Sequence, residues 1–152
     1  MKYLRAKTSF STVKSEITVA IEVTKCPHRC KHCHSPELCQ DIGKELDEGS
    51  MYGLMKHFTG FYNEPLFTCV AFMGGDHEPK TLLRLLKWVK GAFPAVKTCL
   101  YTGSENVSDD IKECLDYLKT GRYDETLGGL DSPTTNQRFY QFERNTLHEQ
   151  FT

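Results

Sequence analysis

Three thiols fall within eight residues of this chain: Cys26, Cys30 and Cys33, in the stretch TKCPHRCKHCHSPELC, with the spacing C-x3-C-x2-C. Convergent thiolates bind a soft metal or an iron–sulfur cluster. A cubane cluster has four irons, so three cysteines leave one iron with a position for something else to occupy, and an open position is where chemistry happens. A fourth protein ligand would instead close the site and make it structural, as in many zinc proteins. His34 and Cys39 both stand where they could be that ligand, so the residues alone leave a cluster and a zinc knuckle open.

A second feature is the turn Gly74-Gly75-Asp76, which stops the apolar run FTCVAFM abruptly. Glycine suits a backbone that must approach a ligand closely, although a Gly-Gly pair is more often a tight connection. At Tyr101-Thr102-Gly103 a buried aromatic and a turn glycine are the ordinary explanation. Cys69, Cys99 and Cys114 lie inside apolar periodic segments and read as small core residues.

The elements that position these groups follow from periodicity. Ile17, Val19, Ile21 and Val23 alternate with Thr18, Ala20 and Glu22, which marks a strand ending just before the cysteine loop. Met51, Leu54, Met55, Phe58 and Tyr62 have helical spacing, weakened by Gly53. Phe67 to Met73 is nearly continuous in apolar residues, as in a strand covered on both faces. A helix opens at Pro79, carries Leu82, Leu83, Leu85, Leu86 and Val89 on one face, and closes at Gly91. Lys97 to Tyr101 is a further strand, and a helix from about Ser108 places Ile111, Cys114, Leu115 and Leu118 inward, with Asp109 and Asp110 at its positive end. From Gly121 the pattern loosens into a long loop, with a last strand at Phe139 to Phe142.

Alternating strands and helices predict an α/β fold with a parallel sheet and right-handed crossovers. A complete eight-fold barrel takes about 250 residues, so 152 residues hold only part of one. The expected architecture is an incomplete, TIM-like barrel with a parallel, curled sheet, in one domain over 1–152 with its core from about 17 to 142. In such folds the C-terminal ends of the strands carry the ligands, and the cysteine loop and the Gly-Gly-Asp turn both follow such ends.

Nineteen basic against 20 acidic residues, a formal charge of −1, give no field of the kind nucleic acid or anionic lipid demands. No nucleic-acid or membrane partner is therefore expected. Without a signal-peptide block or a spanning stretch, a cytoplasmic protein is expected, and seven cysteines, an odd number, accord with a reducing compartment.

The motif from Cys26 to Cys33, with His32 before the last cysteine, resembles the signature of the radical S-adenosylmethionine (SAM) superfamily. That resemblance implies a 4Fe-4S cluster on Cys26, Cys30 and Cys33, whose open iron is chelated by the amino and carboxylate groups of SAM. It places His32, Cys33 and His34 along SAM, with His32 against the adenine. Gly74-Gly75-Asp76 looks like the superfamily's Gly-Gly-Glu motif, which meets the SAM amino group; here Asp replaces Glu, and His77-Glu78 intervene before Pro79. Leu118 to Tyr123 and Thr135 to Arg138 resemble segments of one branch, the activating proteins of anaerobic ribonucleoside-triphosphate reductases. The resemblance runs from about Ile17 to Phe142. It implies reductive SAM cleavage, a 5'-deoxyadenosyl radical that generates a glycyl radical on the reductase large subunit, and a reduced flavodoxin-type electron donor. No catalytic acid, base or nucleophile is then needed, and Asp131 to Arg138 become the candidate contact with the incoming glycine loop. A radical SAM enzyme acting on a small molecule, such as a deazapurine precursor, and a non-enzymatic zinc-binding module are the alternatives.

Overall fold

A computed structural model describes residues 1–30 and 35–143 of the chain. In chain order the elements are β1 (Lys2–Ser9), β2 (Thr18–Val23), a 3₁₀ turn (Pro36–Cys39), β3 (Lys44–Glu45), α1 (Glu48–Lys56), β4 (Cys69–Met73), α2 (Pro79–Ala92), β5 (Lys97–Tyr101), α3 (Asp109–Glu113), β6 (Tyr117–Thr120) and β7 (Arg138–Gln141). The strands form one sheet in the order β3-β1-β2-β4-β5-β6-β7. Its centre, β2-β4-β5-β6, is parallel. Both margins are antiparallel, β1 and β3 on one side and β7 on the other. The α/β expectation thus holds at the centre. The TIM-like curl does not: the sheet is open, and its margins depart from the all-parallel expectation.

The strands explain their own burial. Every residue of β2 is buried, as a central parallel strand requires. Along β4 the side chains alternate: Val70 and Phe72 join the main core under the helices, while Cys69 and Ala71 join a smaller cluster on the other face. On the helical face Leu82, Leu85, Leu86 and Val89 of α2, with Met51 and Met55 of α1, pack over Ile21, Phe72 and Leu100. Asp47 caps α1, accepting from the Ser50 amide at 2.8 Å while the Ser50 hydroxyl reaches back to the Asp47 amide.

The face away from the helices is covered by the segment between β1 and β2. Val13 is 2 % exposed and packs with Cys69, Ala71, Cys99 and Tyr117. Glu16 follows, accepting from Thr68 Oγ1 at 2.5 Å, Tyr117 OH at 2.7 Å and Lys97 Nζ at 3.0 Å. Burial alone would push its carboxyl up, but these three donors outweigh burial and hold it below the usual range.

Several sequence expectations shift. The helix beginning near Met51 stops at Lys56, and Tyr62 is exposed in the following turn. α2 runs through Gly91 to Ala92. α3 ends at Glu113, and Leu118, expected on its core face, lies in β6 instead. The strand β1 had no counterpart in the sequence reading; its charged Arg5 pairs with Glu22 across the β1–β2 ladder.

Candidate metal centre

The cysteine loop leaves the C-terminal end of β2 and is tied at its base before any metal is considered. Thr24 donates from its amide to the Lys2 carbonyl at 2.9 Å and from its hydroxyl to the Ile42 carbonyl at 2.8 Å. The Lys25 amide then meets the Gln40 carbonyl at 3.2 Å, and the Cys26 amide the Leu38 carbonyl at 2.9 Å. The 3₁₀ turn Pro36–Cys39 forms the returning side. Cys26 and Cys30 are half-buried, and with Cys39 they line a single cleft. Of the other predicted residues in this loop, His32, Cys33 and His34 lie outside the described residues. Among the described residues no group of three or more His, Cys, Asp or Glu side chains is arranged to hold a metal ion.

The facing wall belongs to β4. Gly74 and Gly75 have φ of 96° and 113°. Among the described residues a Cβ on Gly74 would meet nothing closer than Val23 at 3.8 Å, so its positive φ is what demands glycine there. Any other residue in that region costs about 1–3 kcal/mol. The Gly74 amide donates to the Tyr101 carbonyl at 2.8 Å, which carries the β4–β5 ladder up to the turn, and the Glu78 amide donates to Gly75 at 3.0 Å to lead into α2. Asp76, the third predicted position, lines the cleft, yet its Oδ2 accepts from Thr102 Oγ1 at 2.8 Å. Thr102 Oγ1 in turn accepts from the Ser104 amide at 2.9 Å. The carboxylate therefore ties two strand ends together.

Beside it, His77 also lines the cleft. Burial pushes its imidazole below the ordinary value, against the opposing pull of Glu78 and Asp76, so the neutral ring is favoured. Among the described residues its buried Nε2 has no hydrogen-bond partner, and it stands 3.6 Å from Glu78 Oε2.

The end of β5 and of β6 supplies a third wall: Tyr101, Thr102, Gly103 and Lys119. Tyr101 is packed against the smaller core cluster and donates its hydroxyl to the Thr12 carbonyl, as the ordinary explanation of that segment expects, and all three residues also line the cleft with the cysteine loop. The His28 ring lies so close over Gly103 that an added Cβ would fall 2.7 Å from its Cγ and Cδ2. His28 Nε2 is 3.5 Å from Ser104 Oγ. Lys119 is 9 % exposed, and its Nζ donates to the Gly121 carbonyl at 2.8 Å. Gln137 Nε2 donates to the same carbonyl at 3.2 Å, which fastens the long loop to the site.

Sequence reading missed His28, Cys39 as a cleft residue, Thr102, Gly103, His77 and Lys119. A usable signal existed for most of them: each follows or ends a parallel strand, the place where such sheets carry ligands. Lys119 escaped because β6 itself went unrecognised. Cys69, which opens β4, and Cys99, in the middle of β5, sit on the helix-free face, where burial pushes the Cys69 thiol up to about 12 and the Cys99 thiol up as well. Both stay protonated, as the core reading of those cysteines expects; Cys114 is only partly buried.

The donor set fits an iron–sulfur group. Two half-buried thiols stand on a loop whose backbone bonds are already satisfied at its base, and the Gly74-Gly75 turn lines the same cleft. None of the helices among the described residues is long and apolar enough to cross a membrane. No curated protein and no solved structure matches the chain. The model of a family described as 4Fe-4S single cluster domain matches residues 17–138, from the start of β2 through the cysteine loop, the Gly-Gly turn and β6. By that match, over most of its length, the chain belongs to the 4Fe-4S single cluster domain family.

Proposed function

We propose that this protein is a radical SAM activase that makes a glycyl radical on a protein substrate, the large subunit of an anaerobic ribonucleoside-triphosphate reductase. One observation carries the reading: the cysteine loop and the Gly74-Gly75 turn, which follow adjacent parallel strands, open onto the same cleft. When bound, the cluster supplies one electron from a reduced flavodoxin-type donor to the sulfonium of SAM, giving methionine and a 5'-deoxyadenosyl radical that takes a hydrogen atom from a glycine Cα.

The chain's own residues hold and orient. Cys26, Cys30 and Cys33 are the proposed ligands of a 4Fe-4S cluster with one open iron. Gly74 and Gly75 present backbone without Cβ atoms to the SAM amino group, and His32 and His34 flank the cofactor. Lys119 brings a buried ammonium to the cleft, the charge that a SAM carboxylate needs. Asp76 lines the cleft as the third proposed cofactor-binding position, its Oδ2 held by Thr102 so that it also fixes the spacing of the β4 and β5 ends. The segment 131–138 is the proposed contact with the incoming glycine loop; Ser132, Thr134 and Thr135 fold it back on Leu127 and Gly128 by hydrogen bonds of 2.7–3.0 Å.

The test is anaerobic reconstitution followed by incubation with SAM, a reductant and the reductase. Release of 5'-deoxyadenosine with a glycyl signal in electron paramagnetic resonance is the expected result. 5'-Deoxyadenosine without that signal refutes the assigned substrate and favours a small-molecule enzyme. A second reading, a closed zinc site, rests on Cys39 lining the same cleft as Cys26 and Cys30. One equivalent of zinc without iron or acid-labile sulfide would select it.

A further inference from the structure

Along β1 the register against β2 slips between Tyr3, opposite Val23, and Arg5, opposite Glu22, so that one extra residue bulges out of the ladder. A bulge re-aims a side chain, and bulges gather next to functional sites. Here Arg5 comes to stand directly opposite Glu22, whose side chain is 10 % exposed. The guanidinium Nε donates to Glu22 Oε2, and Nη2, on the other branch of the fork, donates to Glu37 Oε1 at 2.7 Å. Glu37 belongs to the 3₁₀ turn Pro36–Cys39, the returning side of the cysteine loop. One planar group thus joins the strand that leads into the loop to the arm that leads out of it. The hydrogen bond from Arg5 holds the Glu37 carboxyl below its ordinary value.

An exposed ion pair usually contributes little, because two long side chains must be ordered to make it. Arg5 differs in that a nearly buried carboxylate already fixes its fork, so the second bond needs little further ordering. Lys2, at the start of β1, fastens the same arm further along: its Nζ lies 3.0 Å from Asp41 Oδ1, which Lys25 Nζ approaches to 3.6 Å. Between the two fastenings lie Leu38 and Gln40, whose carbonyls receive the Cys26 and Lys25 amides. β1 therefore grips the returning arm on either side of the two bonds that close the base of the cysteine loop.

We infer that Arg5 is a positioning residue for the candidate metal centre: through Glu37 it holds the returning arm against β2 and thereby fixes the Cys26 end of the loop. What this means for iron rests on the proposed 4Fe-4S reading, whereas the clamp is a property of the chain without metal.

Amide hydrogen exchange in the apoprotein and iron loss from the reconstituted protein test this with two variants. Glu37→Gln leaves Arg5 on Glu22, and Arg5→Met removes both contacts. In each, the Lys25 and Cys26 amides exchange about tenfold faster than in the wild type, while the amides of β5 keep their rates. About 0.5 M salt shrinks the difference between Glu37→Gln and the wild type, because an exposed ion pair is screened and packing is not. Reconstituted Glu37→Gln loses iron to a chelator faster than the wild type, and its reduced form gives a broader electron paramagnetic resonance signal, since the thiolates are held less uniformly. Adding Glu37→Gln to Arg5→Met speeds exchange no further, because the contact is already gone. Wild-type exchange at both amides in Glu37→Gln overturns the inference. So does acceleration that spreads equally over β5, a difference that salt leaves intact, or a double variant whose effects add. A wild type that takes up zinc and no iron overturns the 4Fe-4S reading instead, and the exchange rates of the apoprotein still decide the clamp.

Discussion

Gly103→Ala tests whether the cysteine loop is positioned by its contact with the end of β5. The added Cβ would lie 2.7 Å from Cγ and Cδ2 of His28, against the 3.5–4.0 Å at which two carbons rest. The ring must therefore retreat by about 1 Å. His28 stands between Cys26 and Cys30, and the loop is anchored at its base by the Cys26 and Lys25 amides, so the displacement falls on the segment carrying the thiols. A misplacement of about 1 Å at a reacting centre can lower a rate by up to about 10²-fold. The assay is the iron and sulfide content of reconstituted protein, its iron loss to a chelator, and the rate of 5'-deoxyadenosine release. Gly103→Ala should lose iron faster and cleave SAM at least tenfold more slowly, with the melting temperature unchanged within a few degrees. Because Gly103→Ala and His28→Ala remove one and the same contact, the double variant should be no worse than the worse single variant. A Gly103→Ala protein with full iron retention and a normal rate, or effects that add in the double variant, would refute the reasoning.

Other expectations follow from the same geometry. Cys26→Ala or Cys30→Ala should abolish iron binding and the visible absorption of the reconstituted protein, whereas Cys114→Ala should retain both. Lys119→Met should raise the KM for SAM about tenfold with a smaller change in kcat, since an ammonium facing a carboxylate acts mainly in binding; an unchanged KM measured by product release would remove Lys119 from the site. Glu16→Gln should lower stability at neutral pH by about 1–3 kcal/mol in urea titrations, because a carboxylate with three donors becomes an amide. The Glu16 carboxyl is held below its ordinary value of 4.5, so its contribution is present above that pH and is lost as pH falls through the depressed folded value. The acid limb of the stability profile should accordingly be shallower in Glu16→Gln, and an unchanged limb would show that other carboxylates carry it.

What could be read from the residues was whatever a single period announces. β2 and α2 were legible because their apolar residues repeat at two or at helical spacing, β4 because its run is nearly continuous in apolar residues, and the cysteine triplet because thiols so close together have few other uses. β1 was not: KYLRAKTS is half exposed at the sheet margin with no continuous apolar period, and only the folded chain shows its Arg5 paired with Glu22, buried on the next strand. β6 was mistaken for a helix tail because Leu115 and Leu118 stand three apart, a spacing that suits a helix and here spans a turn and a strand. Gly103 and His28 are 75 positions apart, and no local pattern connects them. Each side chain is ordinary alone; only the topology brings the ring over the glycine.

The closed base of the cysteine loop also bears on the order of events in the life of the protein. Neither Cys26 nor Cys30 belongs to the main apolar core, and the amides that anchor their loop are satisfied by carbonyls of the returning chain. The fold can therefore form first and receive its inorganic part afterwards, unlike zinc fingers, in which metal binding is itself the folding free energy. Oxidative loss of the cluster would then leave a folded apoprotein ready for reloading by whatever delivers iron and sulfide.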